Sequence, residues 1–382
     1  MHAQPQQHDS RSVRLTGEYV PVMRPQLPTA DELLPYLRRI DEARWYTNFG
    51  PLLLELKERL AAHFRVEPDQ TAIVANGTVA LSAALVALGV KAGSKCLLPS
   101  WTFVGSAAAV WAANVEPHFV DVDPQTWMLD PQALRRRTDL ADVGAVMVVS
   151  AFGSPVDTAA WDAFTQETGI PVLIDGAASF DTVASIAQSG PGRSPIMISL
   201  HATKVFGTGE GGLLLSTDTE LVQRFNKVCN FGVLGPPAGQ ILGYNGKLSE
   251  YNAAVGLAML ETWDARRERV MRLTERYRKA LDAVASVSLV PGYGDGWISC
   301  YCNVLLEQPA AGVIDKLGAR GVETRRWWQS GVHVQEAYKQ FPRDPLPVTE
   351  HLAARVFGLP FFHDLREEQL QQVIESLKAT LS

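Results

Sequence analysis

Between residues 71 and 215 the sequence alternates between two periodicities, and that alternation restricts the fold more than any other feature. TAIVAN (71–76), KCLLPS (95–100), PHFVDVD (117–123), AVMVVSAFG (145–153), PVLID (171–175), MISLHAT (197–203) and GLLLST (212–217) are short, apolar and rich in β-branched residues. Such runs read as strands buried on both faces. Three small-residue or amphipathic stretches lie between them: VALSAALVALGV (79–90), SAAAVWAAN (106–114) and WDAFTQETG (161–169). These read as helices. Strands alternating with helices predict an α/β fold, a mainly parallel sheet with helices on both faces. LLLELKERLAAH (52–63) adds an amphipathic helix ahead of the first strand.

After Ala253 the pattern changes. ETWDARRERVMRLTERYRKALDAVA (261–285) is long, charged and helical, and reads as a connector. SCYCNVLLE (299–307) then reads as a strand, AAGVIDKLGARG (310–321) as a helix and REEQLQQVIESLKATL (366–381) as a closing amphipathic helix. A smaller α+β domain is expected over 263–382, and a large domain over 16–262. With 382 residues and 46% hydrophobic content, the chain can bury two cores. Residues 1–15 are polar and read as a disordered tail with no signal peptide. No stretch reaches the roughly 18 apolar residues of a membrane span. The 35 basic and 41 acidic residues net −6, which speaks against nucleic acid as a partner. Four cysteines scattered along the chain read as reduced thiols of a cytoplasmic protein. The Pro- and Gly-rich stretch VLGPPAGQILGYNG (233–246) is long enough to be a functional loop.

One segment, SLHATKVFGTGEGG (199–212), supports two chemistries. Gly207 to Gly212 match the G-x-G-x-x-G pattern of a dinucleotide loop. That loop needs a strand before its first glycine and a helix opening at its last. Here LLLST follows, which is strand-like, so the context is wrong. The glycines are expected to let the chain turn sharply beside something bulky. Lys204, by contrast, follows an apolar strand and so stands at a strand's carboxyl end, where open α/β sheets bind ligands. A lysine partly withdrawn from water there is expected to lose its proton near neutral pH and to form a Schiff base. Pyridoxal phosphate (PLP) is the common cofactor held in this way. Such a site also needs a carboxylate for the pyridine nitrogen, phosphate donors at a helix N-terminus and a flat side chain against the ring. Asp175 ends PVLID. Gly77 and Thr78 open a helix after a strand. Trp101 and Phe103 follow KCLLP.

In this order the segments resemble the DegT/StrS family of PLP-dependent nucleotide-sugar aminotransferases, and the resemblance runs almost end to end. ANGTVALSAALVALGV is similar to the family's SGTAAL helix and LPSWTFVGSAAAV to its PSFTFVAT. LIDGAAS, SLHATKVFGTGEGG, GYNGKLSEYNAAVGLAML and LPVTEHLAARVFGLPFF follow in register, with RPQLP and WYTNFG ahead of them. The resemblance implies fold type I, with a seven-stranded, mainly parallel sheet and a smaller C-terminal domain. It implies Lys204 as covalent anchor and proton carrier, Asp175 against the pyridinium, and Gly77, Thr78 and Ser199 at the phosphate. Phe103 would be the stacking ring, with Trp101 as second choice. Asn245, in GYN, would reach the phosphate of a partner subunit's PLP, which implies a homodimer with shared sites. L-glutamate would be the donor and a nucleoside-diphosphate keto sugar, expected to be 4-keto-6-deoxy, the acceptor; no metal is needed. Arg325 and Arg326 are candidates for the diphosphate, Trp327 and Trp328 for stacking, and Tyr46 and Asn48 for the sugar. A 3-keto acceptor, a PLP-dependent sugar dehydratase and a non-catalytic regulatory relative are the alternatives. In such dehydratases the lysine position is typically histidine, so Lys204 favours transamination.

Two departures stand out. Ala178 occupies the position where the family usually places Gln or His against the cofactor's 3′ oxygen, and Cys229-Asn230-Phe231-Gly232 replaces RNHG.

Overall fold

The structure is a computed structural model that describes residues 18–233, 235 and 239–381. The stretch expected to be a tail, residues 1–15, lies outside the described residues, as does part of the 233–246 loop. Two helices lead the chain in: α1 (Ala30–Ala43) and α2 (Pro51–Phe64). Thr29 and Glu32 form a reciprocal capping box that starts α1. Then follow β1 (Thr71–Val74), α3 (Gly77–Ala87), β2 (Lys95–Pro99), α4 (Val104–Ala112), β3 (Glu116–Val120), α5 (Pro131–Arg135) and β4 (Val143–Val149). The remainder of this sheet comes from α6 (Thr158–Thr168), β5 (Val172–Asp175), α7 (Phe180–Ser185), β6 (Ile196–Ser199) and β7 (Gly212–Leu215).

The sheet has seven strands in the order β1-β7-β6-β5-β4-β2-β3. Pairing is parallel except on either side of β7, which runs antiparallel to β1 and β6. Six strands therefore point one way, and the carboxyl ends of β1, β2, β4, β5 and β6 share one edge. Their residues are buried almost throughout, as continuous apolar runs require when helices cover both faces.

Helix α8 (Thr219–Val228) packs back on α3. Helices α9 (Glu250–Glu261) and α10 (Trp263–Asp282) are separated at Thr262, so the expected connector is broken one residue into its length. Beyond α10 lie β8 (Val287–Leu289), β9 (Cys302–Leu306), α11 (Ala311–Ala319), α12 (Pro347–Arg355), β10 (Val356–Leu359) and α13 (Glu367–Leu381). Their three strands form an antiparallel sheet in the order β10-β9-β8. The opening segment joins this second sheet's core: Val20 is fully buried and pairs with Val322. Among the described residues no helix is long and apolar enough to cross a membrane.

Glu250 fixes where the turn 44–50 sits. Its carboxylate is buried and accepts the N–H groups of Leu52 (2.8 Å) and Leu53 (2.9 Å), so it caps α2 from a distant helix. Gly50 is required beside it, because a Cβ there would stand 2.5 Å from the Glu250 carboxyl carbon. Glu250→Ala orphans two helix N–H groups and is expected to cost about 2 kcal/mol, read as a fall of several degrees in thermal unfolding. Glu250→Gln, which keeps one acceptor, should lose less.

Candidate active site

Gly77, Thr78, Phe103, Asp175, Ser199 and Lys204 lie at or just past the carboxyl end of a strand, so one edge of the sheet collects them; Asn245 does not. After β1, Asn76 turns the chain and its side chain accepts the N–H of Val79 at 2.9 Å, which starts α3 at Gly77. Gly77 lies against the end of β6: a Cβ added to it would be 3.4 Å from Ser199 Cβ. The N-terminus of α3 thus offers Gly77 and Thr78 beside the Ser199 hydroxyl, a donor set that fits a phosphate.

After β2 the chain passes Ser100, Trp101, Thr102 and Phe103 into α4. Trp101 is buried, edge-on to Phe152 and Trp328. Phe103 is 61% exposed. Gly105 lies between Phe103 and Thr78, since a Cβ there would be 3.1 Å from the Phe103 ring and 3.6 Å from Thr78 Oγ1. The exposed ring and Thr78 at the start of α3 thus both neighbour Gly105, while Trp101 is part of the core.

Asp175 ends β5 and is buried. Ser106 donates to its Oδ2 at 2.7 Å and the Ala177 N–H to its Oδ1 at 3.1 Å. Thr102 Oγ1 meets Ser106 Oγ at 2.7 Å and completes the support. Burial pushes the carboxyl above its ordinary range, opposed by these bonds and by nearby Lys204.

Lys204 lies in the hairpin between β6 and β7, which is closed by Leu200 N–H to Gly211 O (2.9 Å) and Ala202 N–H to Gly209 O (2.8 Å). Gly209 has φ +88°, a conformation that side-chain-bearing residues rarely adopt. At Gly212 a Cβ would be 2.5 Å from Asn76 O. The glycine run therefore lets the lysine hairpin close against the backbone of the phosphate turn. It is followed by a strand and not a helix, which excludes the dinucleotide reading of this run.

The amine of Lys204 donates to Tyr301 Oη at 2.8 Å. Withdrawal from water works to lower its pKa, but Tyr301, Cys300 and Asp175 raise it, and the balance lies above the ordinary lysine value. This reverses the expectation that the amine loses its proton near neutral pH. Burial acted as foreseen; the partners outweigh it.

Tyr301 was not recognised in the sequence, where SCYCN reads only as a strand. It leads to an aromatic group on the second sheet's side. Its ring lies edge-on to Phe152 (5.8 Å) and 4.8 Å from Trp327, and Trp328 stacks on Phe152 at 3.8 Å. Phe152 holds φ +55°, rare for a bulky residue and a form of strain found at functional sites. Arg325 is exposed and sits 5.2 Å over the Trp327 ring. Arg326 instead spends its guanidinium on the carbonyl of Ala353.

The other expected residues lie elsewhere. Tyr46 stacks on Tyr251 of α9 at 6.4 Å, and Asn48, with φ +60°, sits in the same exposed turn. Asn245 is exposed and pairs with Asn230, close to the strand that leads into the phosphate turn. Ala178 is buried. The next residue, Ser179, donates to Ser150 Oγ at 2.8 Å.

Residues 29–378 match the DegT/DnrJ/EryC1/StrS aminotransferase family. The chain belongs to this family. It is 30% identical over 366 residues to a dTDP-4-amino-4,6-dideoxy-D-glucose transaminase of Shigella dysenteriae, covering 94% of this chain and 98% of the relative. Among solved structures it is similar to DesI, determined in the presence of its TDP-sugar product, at 28% identity and a TM-score of 0.85, over 95% of this chain and 93% of that one. It is also similar to S. venezuelae DesV, solved with a ketimine intermediate, at 25% identity and a TM-score of 0.84, over 95% and 98%. This family member is a PLP-dependent transaminase of fold type I.

Asp175 gives the site a pH signature. Its folded-state pKa is raised, so the stability it contributes is full below the unfolded value near pH 4 and is lost as pH rises through the raised value. Cofactor-free Asp175→Asn should therefore match wild type at about pH 4 and unfold at a higher temperature above that window. PLP should reverse the order by stabilising wild type more than the variant, which keeps the lysine and the phosphate donors but lacks the carboxylate. Thermal unfolding across pH, with and without PLP, checks both; a variant equally destabilised at every pH would contradict the account.

Proposed function

We propose that this chain transfers an amino group from L-glutamate to a nucleoside-diphosphate keto sugar, with a 4-keto-6-deoxy sugar as acceptor, in the cytoplasm. The observation that carries the reading is the meeting of Lys204 and Asp175 at one sheet edge, the edge from which α3 and the exposed Phe103 also start. The relatives named above supply the sugar-nucleotide class.

Bound PLP supplies the electron sink through which an amino group can be exchanged. Lys204 is the covalent anchor and, once free, the base and acid that carries a proton on one face of the ring. Asp175 keeps the pyridine nitrogen cationic, and its raised pKa is relieved by that charge. Gly77, Thr78 and Ser199 hold the phosphate and Phe103 covers the ring. In this reading residues 16–262 carry the cofactor, and residues 263–382 cover the acceptor together with the segment around Val20. Arg325 takes the diphosphate and Trp327 offers a stacking face, while Tyr46, Asn48 and Asn245 complete the site of a second subunit in a homodimer. Exposed Phe231, Tyr46 and Tyr251 give that dimer apolar surface to bury.

The test is a two-stage assay. Glutamate alone should move the absorption of the PLP-loaded protein from above about 390 nm towards about 330 nm, and Lys204→Ala should show neither band shift nor turnover. A dTDP-4-keto-6-deoxy sugar should restore the first band and yield an amino sugar detectable by mass. Arg325→Ala is expected to raise the sugar KM about tenfold or more, with the glutamate stage unchanged. Exchange with glutamate but with no nucleotide keto sugar would overturn the acceptor assignment.

A further inference from the structure

The 2.8 Å bond between Lys204 and Tyr301 is part of neither the cofactor's nor the acceptor's expected holding set, and it has its own structural support. The Tyr301 ring is held by Phe152 and Trp327. Its backbone N–H donates to Ser299 Oγ at 3.2 Å, and Ser299 in turn donates to Phe152 O at 2.6 Å. The phenol is thus aimed by two strand-end segments, one from each sheet. The amine lies 5.2 Å from the centre of the same ring, beyond its hydroxyl, so the oxygen is the contact that holds it.

We propose that Tyr301 is the positioning residue for Lys204: its phenolic oxygen receives the lysine amine whenever that amine is not covalently engaged, and so fixes its orientation and its protonation. This rests on the aminotransferase reading, because a transaminase must release its lysine in every half-reaction and use it again as a proton carrier. A freed lysine has four rotatable bonds. Without a docking partner it would lose the alignment with the reacting carbon on which proton transfer depends. Tyr301 supplies a fixed acceptor at one end of that swing.

The titratable groups that act most on the amine are Tyr301 and Cys300, from the approach to β9, and Asp175, from the end of β5; Arg24, Arg266, Arg267 and His363 line the same cavity as Lys204. Burial pushes the Tyr301 phenol up to about 12, so at neutral pH it is a neutral acceptor and not an anion. Cys300 is likewise raised by burial and stays a thiol.

The experiment uses the full-length protein freed of PLP. The rate at which an acylating amine reagent labels Lys204 is followed by peptide mass spectrometry across pH, in wild type, Tyr301→Phe and Cys300→Ala. Tyr301→Phe keeps the ring and removes the oxygen. Its Lys204 labelling should rise about tenfold at pH 8, with the midpoint shifted to lower pH, while Cys300→Ala, which removes a neutral thiol that makes no bond to the amine, should change it in the same direction but several-fold less. Unchanged labelling in a folded Tyr301→Phe protein, or an equal change in Cys300→Ala, would overturn the proposal. Should Tyr301→Phe fail to fold, tyrosine labelled with carbon-13 at Cζ reports the contact from the other side. The Tyr301 signal should move between wild type and Lys204→Met at neutral pH, and an unmoved signal would overturn it. Loss of the Tyr301 effect with intact PLP binding leaves the aminotransferase reading standing, whereas failure of PLP to bind Lys204 at all removes that reading alone.

Discussion

Two opposite charges brought to one edge of an apolar sheet set the terms for the rest of the molecule. The Asp175 carboxylate is buried at the end of β5, and the Lys204 ammonium lies within its field. Neither would be tolerated in such surroundings without partners. The structure spends several elements on meeting that demand. Ser106 and the Ala177 N–H hold Asp175, Thr102 holds Ser106, and Tyr301 holds Lys204. With Asp175 and Lys204 themselves, these groups come from the ends of β2, β5, β6 and β9 and from α4, across two sheets, so the site and the joining of the sheets depend on each other. The raised pKa of Asp175 means that its carboxylate is under-compensated for its burial, whereas the Lys204 ammonium is fully held by its neighbours. A cationic ring nitrogen placed against Asp175 is the kind of charge that corrects this.

The joining of the two sheets has further polar anchors. Ser100, just past β2, meets His333 Nδ1 at 2.6 Å. Asp181, at the start of α7, is buried and pairs with Arg267 of α10 while accepting the Ile298 N–H at 3.0 Å. Asp121, past β3, accepts the N–H groups of Val348 and Thr349 at 2.8 Å each and so caps the start of α12. All three anchors leave from the same edge of the seven-stranded sheet, or from the helix that follows it. The aromatic group of Trp101, Phe152 and Trp328 fills the space they enclose. Tyr301 and Trp327 line its outer side, towards Arg325.

How much of this was legible follows from the range of each interaction. Strands buried on both faces read as unbroken apolar runs, so all seven strands of the large sheet and the positions of Asp175 and Lys204 at their ends were visible directly. The antiparallel direction of β7 was not, because direction leaves no trace in composition. The short edge strands β8 and β10 carry too few residues to show a period, and α8 sits in a charged stretch whose apolar face comes to light only when packed on α3. Phe103 and Trp101 looked interchangeable in SWTF; the choice between them rests on exposure, a property of the assembled sheet. Tyr301 was invisible for the plainest reason. It lies 97 residues from Lys204, in a run whose alternation announces only a strand. The pKa of Lys204 failed in the same way, since its sign is decided by those distant partners.

The claim on which everything else rests is that Lys204, and no other lysine, carries the cofactor. It is tested most directly by loading the protein with PLP, reducing it with borohydride and locating the pyridoxyl mass in a proteolytic digest. The account predicts a single adduct on the peptide that contains Lys204, absent after Lys204→Ala. An adduct on another lysine, or equal labelling of several, would contradict it.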